Sequence, residues 1–272
     1  MSLQVLNRGA MLAHLSSAVG FGTYFLAKDT TPNQNGIDLS VREHKMVVST
    51  DASGNAVMDS SGNLVYQYTS EPSSVVSIGQ IQTLVVSFFL VTALFHGYYY
   101  LSDGLVSSQY SDMIHNKNNY LRWIEYSISA TLMLYIIAFL SGTKDRNIYY
   151  LITATNVAMM AQGQWIEEAV RDGKAWWVPM FTGFVLLLSE FYVILRDFMR
   201  RQYAENLPGF KPPSWVGSSL YIMFLAFASF GFISLYGAVS GKSYYAMEVM
   251  YIFASFIVKL WLARYICLVA VV

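Results

Sequence analysis

Polar residues interrupt the apolar ones rarely enough to leave seven stretches of roughly 20 residues, the length at which a helix crosses the hydrocarbon core of a bilayer. They run over 8–27, 78–101, 119–140, 148–169, 175–197, 215–239 and 244–271. The first is rich in small residues, and the fourth, with LITATNVAMMAQGQW, carries several amides. Both patterns predict helices that face neighbours rather than lipid. Most connections are short, which makes successive helices antiparallel neighbours. The pattern therefore predicts an all-α membrane protein, a single seven-helix domain over 1–272.

One connection breaks the pattern. Residues 28–77 are polar, and a connection of about fifty residues carries structure of its own. Inside it DASGNAVM (51–58) is followed at once by DSSGNLVY (59–66). Each copy sets an S-G-N turn signal beside β-prone residues, which predicts HKMVVST, NAVMD and NLVYQYT as short antiparallel strands. D-x-S-G-N also resembles a calcium loop, but the acceptor pattern is incomplete, and two hairpin turns explain it more simply. A sheet this small is marginal alone. It is expected to pack on a partner, most naturally a second copy in a homodimer.

Composition supports the membrane reading. Hydrophobic residues make up 55% of the chain and charged ones 12%, where a soluble domain is about a quarter charged. Membrane lipid is thus the expected surrounding. The balance of 17 basic against 17 acidic residues offers no basic surface to nucleic acid. The one cysteine, Cys267, supports neither a disulfide framework nor a cysteine metal site. No metal constellation or nucleophile–base pair points to an enzyme, and the N-terminal segment lacks the exit pattern of a cleavable signal. Loop charges orient the bundle poorly. Lys and Arg fall six to each face, and counting Lys28, Arg42 and Lys45 of the long loop leans toward an external N-terminus.

Lys259 is the most informative residue. Ten uncharged residues separate it from Glu248 and four from Arg264, so it lies deep in the last span. An ionised lysine there costs on the order of 3 kcal/mol, and its depth forbids snorkelling. A polar interior or a carboxylate partner would make it structural. A buried neutral amine is also a nucleophile that captures an aldehyde as a Schiff base. Ser255 sits one turn earlier with its hydroxyl in reach. A buried cation needs an anion, and Glu125 in the third span supplies one; Arg122, three residues before it, shares its helix face and could pair with it.

His14, Glu125 and His96 fall at one level, because odd spans begin where even spans end. Histidine titrates near neutrality, so these three, with Glu190 deep in the fifth span, are the candidates for proton transfer. Each histidine alone reads equally well as a hydrogen-bonded packing residue. Glu167, Glu168 and Glu248 are expected near span ends, and His44 and His115 in solvated loops. Phe224, Phe227 and Phe230 form an aromatic stripe at helical spacing in the sixth span, which on its own is core packing.

Seven spans, a lysine in the middle of the last and an acid in the third make the pattern of microbial-type rhodopsins. Arg122-Trp123-Ile124-Glu125-Tyr126 resembles their third-helix motif with Glu as counter-ion. More closely, the chain looks like a heliorhodopsin. The residues that carry this are RWIEYSISA in the third span, FHGYYY with His96, His14 in the first span, Ser255-x-x-x-Lys259, and the long polar loop after the first span.

The resemblance implies a rhodopsin-like bundle of seven transmembrane helices with a β-stranded loop between helices 1 and 2. It implies retinal as a covalent Schiff base on Lys259, Glu125 as counter-ion and Ser255 beside the linkage. Trp123, Ser129 and Phe227 are the further chromophore-binding candidates. It also implies His14 and His96 in a proton-accepting cavity, a multi-pass cell-membrane protein with a cytoplasmic N-terminus, and a dimer formed with the long loop's help.

The activity it implies is light sensing without active pumping. Pumping relatives carry a second acid three turns after the counter-ion, where this chain has Ile136, and another one turn before the retinal lysine, where it has Ser255. The VSGKS loop before the last span holds no paired acids. The competing expectation is a light-gated proton or cation channel of the same fold, threaded by Glu190, Glu248 and the polar face of the fourth span.

Overall fold

The computed structural model describes residues 2–27, 40–75, 78–103, 107–203, 212, 214–241 and 243–269. In chain order these form α1 (Leu3–Ala27), β1 (Ser40–Val48), β2 (Tyr66–Val75), α2 (Ile78–Leu101), α3 (Gln109–His115), α4 (Tyr120–Leu140), α5 (Arg146–Arg171), α6 (Trp177–Tyr203), α7 (Ser214–Ser240) and α8 (Tyr244–Val269). Lys28, Lys211 and Lys242, weighed above in comparing the two faces, lie outside the described residues, as does the side chain of His44.

Seven long helices build the bundle. Among the described residues six of them are both long and apolar enough to cross a membrane; the exception is α5. Its 26 residues reach about 39 Å, but the amides of the fourth predicted span lower its hydropathy. They are turned to use. Tyr149, Ile152, Asn156, Met160, Gly163 and Glu167 recur every three or four residues and are buried, so one polar-dotted face lies inside the protein. Asn156 Nδ2 donates to Thr131 Oγ1 on α4 at 2.8 Å. The seven-residue α3 was not expected from the sequence. It places Tyr110 and Met113 in the interior, and the expected loop residue His115 is its exposed last residue.

Contacts run α1 to α2, α2 to α4, then α4, α5, α6, α7 and α8 in succession, and α1 against α8 closes the ring. Helix ends follow local chemistry. The Asn119 side chain accepts from Arg122 N at 3.2 Å and caps α4. Gly142, at φ +82°, ends it with Thr143 N donating to Ala138 O at 3.0 Å. Asp145 caps α5 by accepting from Asn147 N at 2.9 Å.

In the long loop β1 and β2 form an antiparallel pair with a bulge between Val41 and Arg42. The NAVMD segment is not the third strand expected of it. Thr50–Ala56 and Met58–Leu64 are isolated bridges, because two tight turns five residues long leave its limbs too short for a ladder. Asp51 Oδ1 accepts from Ser53 N and Asn55 N, both at 2.9 Å. Asp59 Oδ1 accepts in the same way from Ser61 N at 2.8 Å and Asn63 N at 2.9 Å. Both repeats are thus aspartate-capped turns, with Gly54 at φ +82° and Gly62 at φ +80° supplying the left-handed residue. The amide of Asn55 holds the Asp51 carboxyl below its ordinary range, and that of Asn63 does so for Asp59. The base of the sheet is tied to its own bundle: Arg42 N donates to Lys144 O at 2.6 Å, and Arg146 lies 3.7 Å from Glu43.

The interior is divided by polarity. Val85, Phe88, Leu134, Ile136 and Ile194 are fully enclosed in an apolar cluster. Asn7, His14, His96, Arg122, Glu125, Glu167, Glu248 and Lys259 are also buried, and they gather in the half of the bundle nearer the N-terminus.

Candidate functional site

The α8 helix carries Lys259 to the inside of the ring, where it is 3% exposed. Its Nζ donates to Ser255 Oγ at 2.7 Å and lies 3.4 Å from Glu125 Oε1 on α4. Glu125 Oε1 also accepts from Ser129 Oγ at 3.0 Å, one turn along the same helix, and from Thr92 Oγ1 on α2 at 2.5 Å. Two hydroxyls and one amine therefore converge on one buried carboxylate oxygen. Thr92 escaped the sequence reading. It lies one turn before His96, and no spacing within α2 alone signals a partner on another helix.

Lys259 opens onto a mostly apolar cavity walled by α4, α5, α6, α7 and α8, the kind of lining small-molecule sites share. Trp123, Ser129, Phe227 and Ser255 line it, so five of the six chromophore-binding candidates surround one space, with Glu125 joined to it through Lys259. The remaining walls are apolar, among them Met133, Met159, Phe184 and Leu187. The aromatic stripe of α7 divides: Phe227 and Phe230 face the cavity, while Phe224 packs on Phe191 at 5.4 Å between ring centroids. Two glycines shape the walls. A Cβ on Gly163 would stand 2.3 Å from the Trp123 ring, and one on Gly231 would stand 2.8 Å from Phe184. These rings lie directly on bare backbone. A mostly apolar space with a buried primary amine in its wall suits an apolar aldehyde such as retinal.

Arg122 does not pair with Glu125. Its Nη1 bonds Glu248 and its Nη2 bonds Glu167, while its guanidinium lies 4.1 Å from the Tyr251 ring centroid and 5.0 Å from that of Trp123. Helical side chains lean toward the N-terminus of their helix, which draws the long arginine away from Glu125 and down to the end of α5 and the start of α8. Glu167 and Glu248, expected near span ends, are instead buried partners. Tyr244 Oη donates to Glu167 Oε2 at 2.8 Å, Asn119 Nδ2 to Glu248 Oε1 at 3.3 Å, and Tyr110 Oη to Glu248 Oε2 at 3.4 Å. This network joins α3, α4, α5 and α8.

The two histidines meet as their shared level predicts. His14 and His96 stack with centroids 5.7 Å apart and planes at 12°. His96 Nδ1 is 2.8 Å from Asn7 Oδ1, whereas both nitrogens of the fully enclosed His14 are without a hydrogen-bond partner among the described residues. The imidazole of His14 also meets Phe256, next to Ser255, edge-on at 5.0 Å. Glu190 stands apart from them. Its Oε1 is 2.6 Å from Thr155 Oγ1 on α5, and among the described residues its Oε2 has no partner. Among the described residues no hydrogen bond or ion pair joins it to Lys259, Glu125 or the histidines.

Comparison with known proteins bears on what this site holds. Among curated proteins none matches the chain. A family model described as Heliorhodopsin matches residues 46–270, most of its length and both helices that carry the Lys259–Glu125 pair. The chain therefore belongs to the heliorhodopsin family, the retinal-binding, light-sensing rhodopsins of the membrane.

Proposed function

We propose that the protein is a photoreceptor in which Lys259 holds retinal as a Schiff base, Glu125 balances the resulting cation, and no ion is actively pumped. The observation that carries this is the buried amine at the end of an apolar cavity with a carboxylate oxygen 3.4 Å away. Bound retinal supplies light absorption and a bond that isomerises; the protein supplies binding, orientation and electrostatics. Ser255 orients the amine. Ser129 and Thr92 hold the Glu125 carboxylate in place. Trp123, Phe227 and the methionines exclude water from the polyene. The stacked His14 and His96 offer nitrogen atoms that can take a proton displaced from the Lys259 end. Three turns beyond Glu125 the chain has Ile136, fully buried among apolar residues, where an onward proton relay would need a titratable group.

Reconstitution with all-trans-retinal is expected to give a visible absorption band that Lys259→Ala abolishes and Glu125→Gln shifts or removes at neutral pH. Illuminated vesicles are expected to build no proton gradient, and sustained uphill acidification or alkalinisation would refute the absence of pumping. A passive light-gated conductance is the second reading. It is favoured by Glu190, a buried carboxyl with one oxygen unpaired, and currents under light that reverse with the electrochemical potential would decide for it. A cytoplasmic N-terminus and a homodimer belong to the same proposal. Met46, Tyr66 and Tyr68 of the sheet are 66%, 54% and 73% exposed, an apolar face for a second copy that cross-linking in membranes would detect.

A further inference from the structure

A second cleft lies between α5, α7 and α8 at the end of the bundle that carries the N-terminus. Its rim is exposed and charged, formed by Lys117, Gly241 and Arg171, the last paired with Asp172 at 2.9 Å. Its floor is buried and polar. Glu167, Tyr244 and Tyr251 place a carboxylate and two hydroxyls there; they are bonded to one another, to Arg122 and to Ser234, and their remaining lone pairs can accept from ordered water. Only a thin partition divides this cleft from the cavity at Lys259, because Ile166 and Ser234 line both. Ser234 Oγ and Tyr251 Oη, 2.5 Å apart, close that partition with a hydrogen bond.

We infer that the second cleft is a water-filled vestibule that admits small uncharged nucleophiles from the N-terminal membrane face, through the Ile166–Ser234 partition, to the chromophore carbon bound to Lys259. An apolar occupant fits it poorly. A lipid chain entering there would pass two cations at the rim and bury a carboxylate and hydroxyls at the floor. The proposal rests on the assignment of retinal to Lys259 only for its second half; that the cleft holds water stands without it.

Two measurements test it. In a Cys267→Ala background, Ala238→Cys in the cleft wall and Leu225→Cys on the exposed side of α7, 63% exposed, are treated with a charged, water-soluble thiol reagent. The cleft position is expected to react about tenfold faster or more. Equal rates would overturn the aqueous vestibule, whether or not the protein is coloured. The second probe is hydroxylamine in the dark. Its nitrogen takes the aldehyde carbon from Nζ, giving retinal oxime and returning Lys259 as a free ammonium, read as loss of the visible band. Ala238→Trp, or Ala238→Leu where tryptophan prevents folding, is expected to leave the band in place and slow bleaching about tenfold. Ile166→Ala is expected to speed it. Unchanged bleaching in a blocked, coloured variant would place the route on the lipid-facing side and overturn the connection. Protein that stays colourless with retinal would refute the functional assignment instead, with thiol labelling still deciding the vestibule.

Discussion

Arg122→Met is the perturbation with the clearest energetic consequence. The guanidinium is 3% exposed and bonds Glu167 and Glu248 at once. Removing it leaves two buried carboxylates with only neutral donors, chiefly Tyr244 at 2.8 Å, Asn119 at 3.3 Å and Tyr110 at 3.4 Å. Breaking one buried ion pair by removing a partner costs about 3–5 kcal/mol. Two stranded anions belong at the upper end of that range. With roughly 2–4 °C per kcal/mol in a chain of this size, the midpoint of thermal unfolding should fall by about 10 °C or more. Methionine keeps most of the volume against Trp123 and Tyr251, so little of the loss is a cavity effect. The triple change Arg122→Met, Glu167→Gln, Glu248→Gln removes the stranded charges and should recover most of the loss, since replacing a whole buried ionic group is often neutral. Tryptophan fluorescence during heating in detergent reads both variants without reference to colour. A single variant that melts within about 2 °C of the parent, or a triple variant no better than the single, would refute the idea that Arg122 holds two charged carboxylates.

Two further outcomes follow from local geometry. Gly163→Ala sets a methyl group 2.3 Å from the Trp123 ring, so the ring must leave the α5 backbone; thermal melts should show a loss of about 1–3 kcal/mol, and uptake of retinal should slow as the cavity narrows. In the long loop, folded-state Asp51 and Asp59 ionise below the ordinary range because backbone amides of Asn55 and Asn63 bond the carboxylates. Stability from these turns is therefore fully present above the ordinary aspartate value near pH 4 and is lost as pH falls through the lower folded-state values. Protection of the Asn55 and Asn63 amides, taken relative to the intrinsic exchange rate at each pH, should fall only below about pH 4, and Asp51→Asn or Asp59→Asn should remove that dependence for its own turn; protection that falls between pH 7 and 5 would contradict it.

The contrast between Glu125 and Arg122 marks how far the sequence could be read. Depth along a span is a one-dimensional quantity, and it brought Glu125, His14 and His96 to one level, because helix ends alternate faces whatever the packing. Azimuth is not one-dimensional. Arg122 and Glu125 share a face of α4, yet the direction in which a helical side chain leans separates them, and the arginine's true partners lie 45 and 126 residues away. The same argument explains Thr92 and Asn156, whose partners sit on neighbouring helices. It also explains why NAVMD, patterned like a strand, makes only bridges: its length was legible, but the two turns that consume its ends act through backbone hydrogen bonds. What the chain leaves unreadable is thus pairing across helices rather than polarity. Polarity alone identified α5 as inward-facing, and there the Asn156 amide of the least apolar long helix bonds Thr131 on α4. The Arg122 triad and the Lys259–Glu125 pair are kept apart by Trp123 and Tyr126, whose ring centroids lie 5.0 Å from the guanidinium and 5.6 Å from Nζ respectively. Among the described residues that separation leaves Glu125 as the acid bonded to the buried amine, the arrangement that a charged chromophore on Lys259 would require.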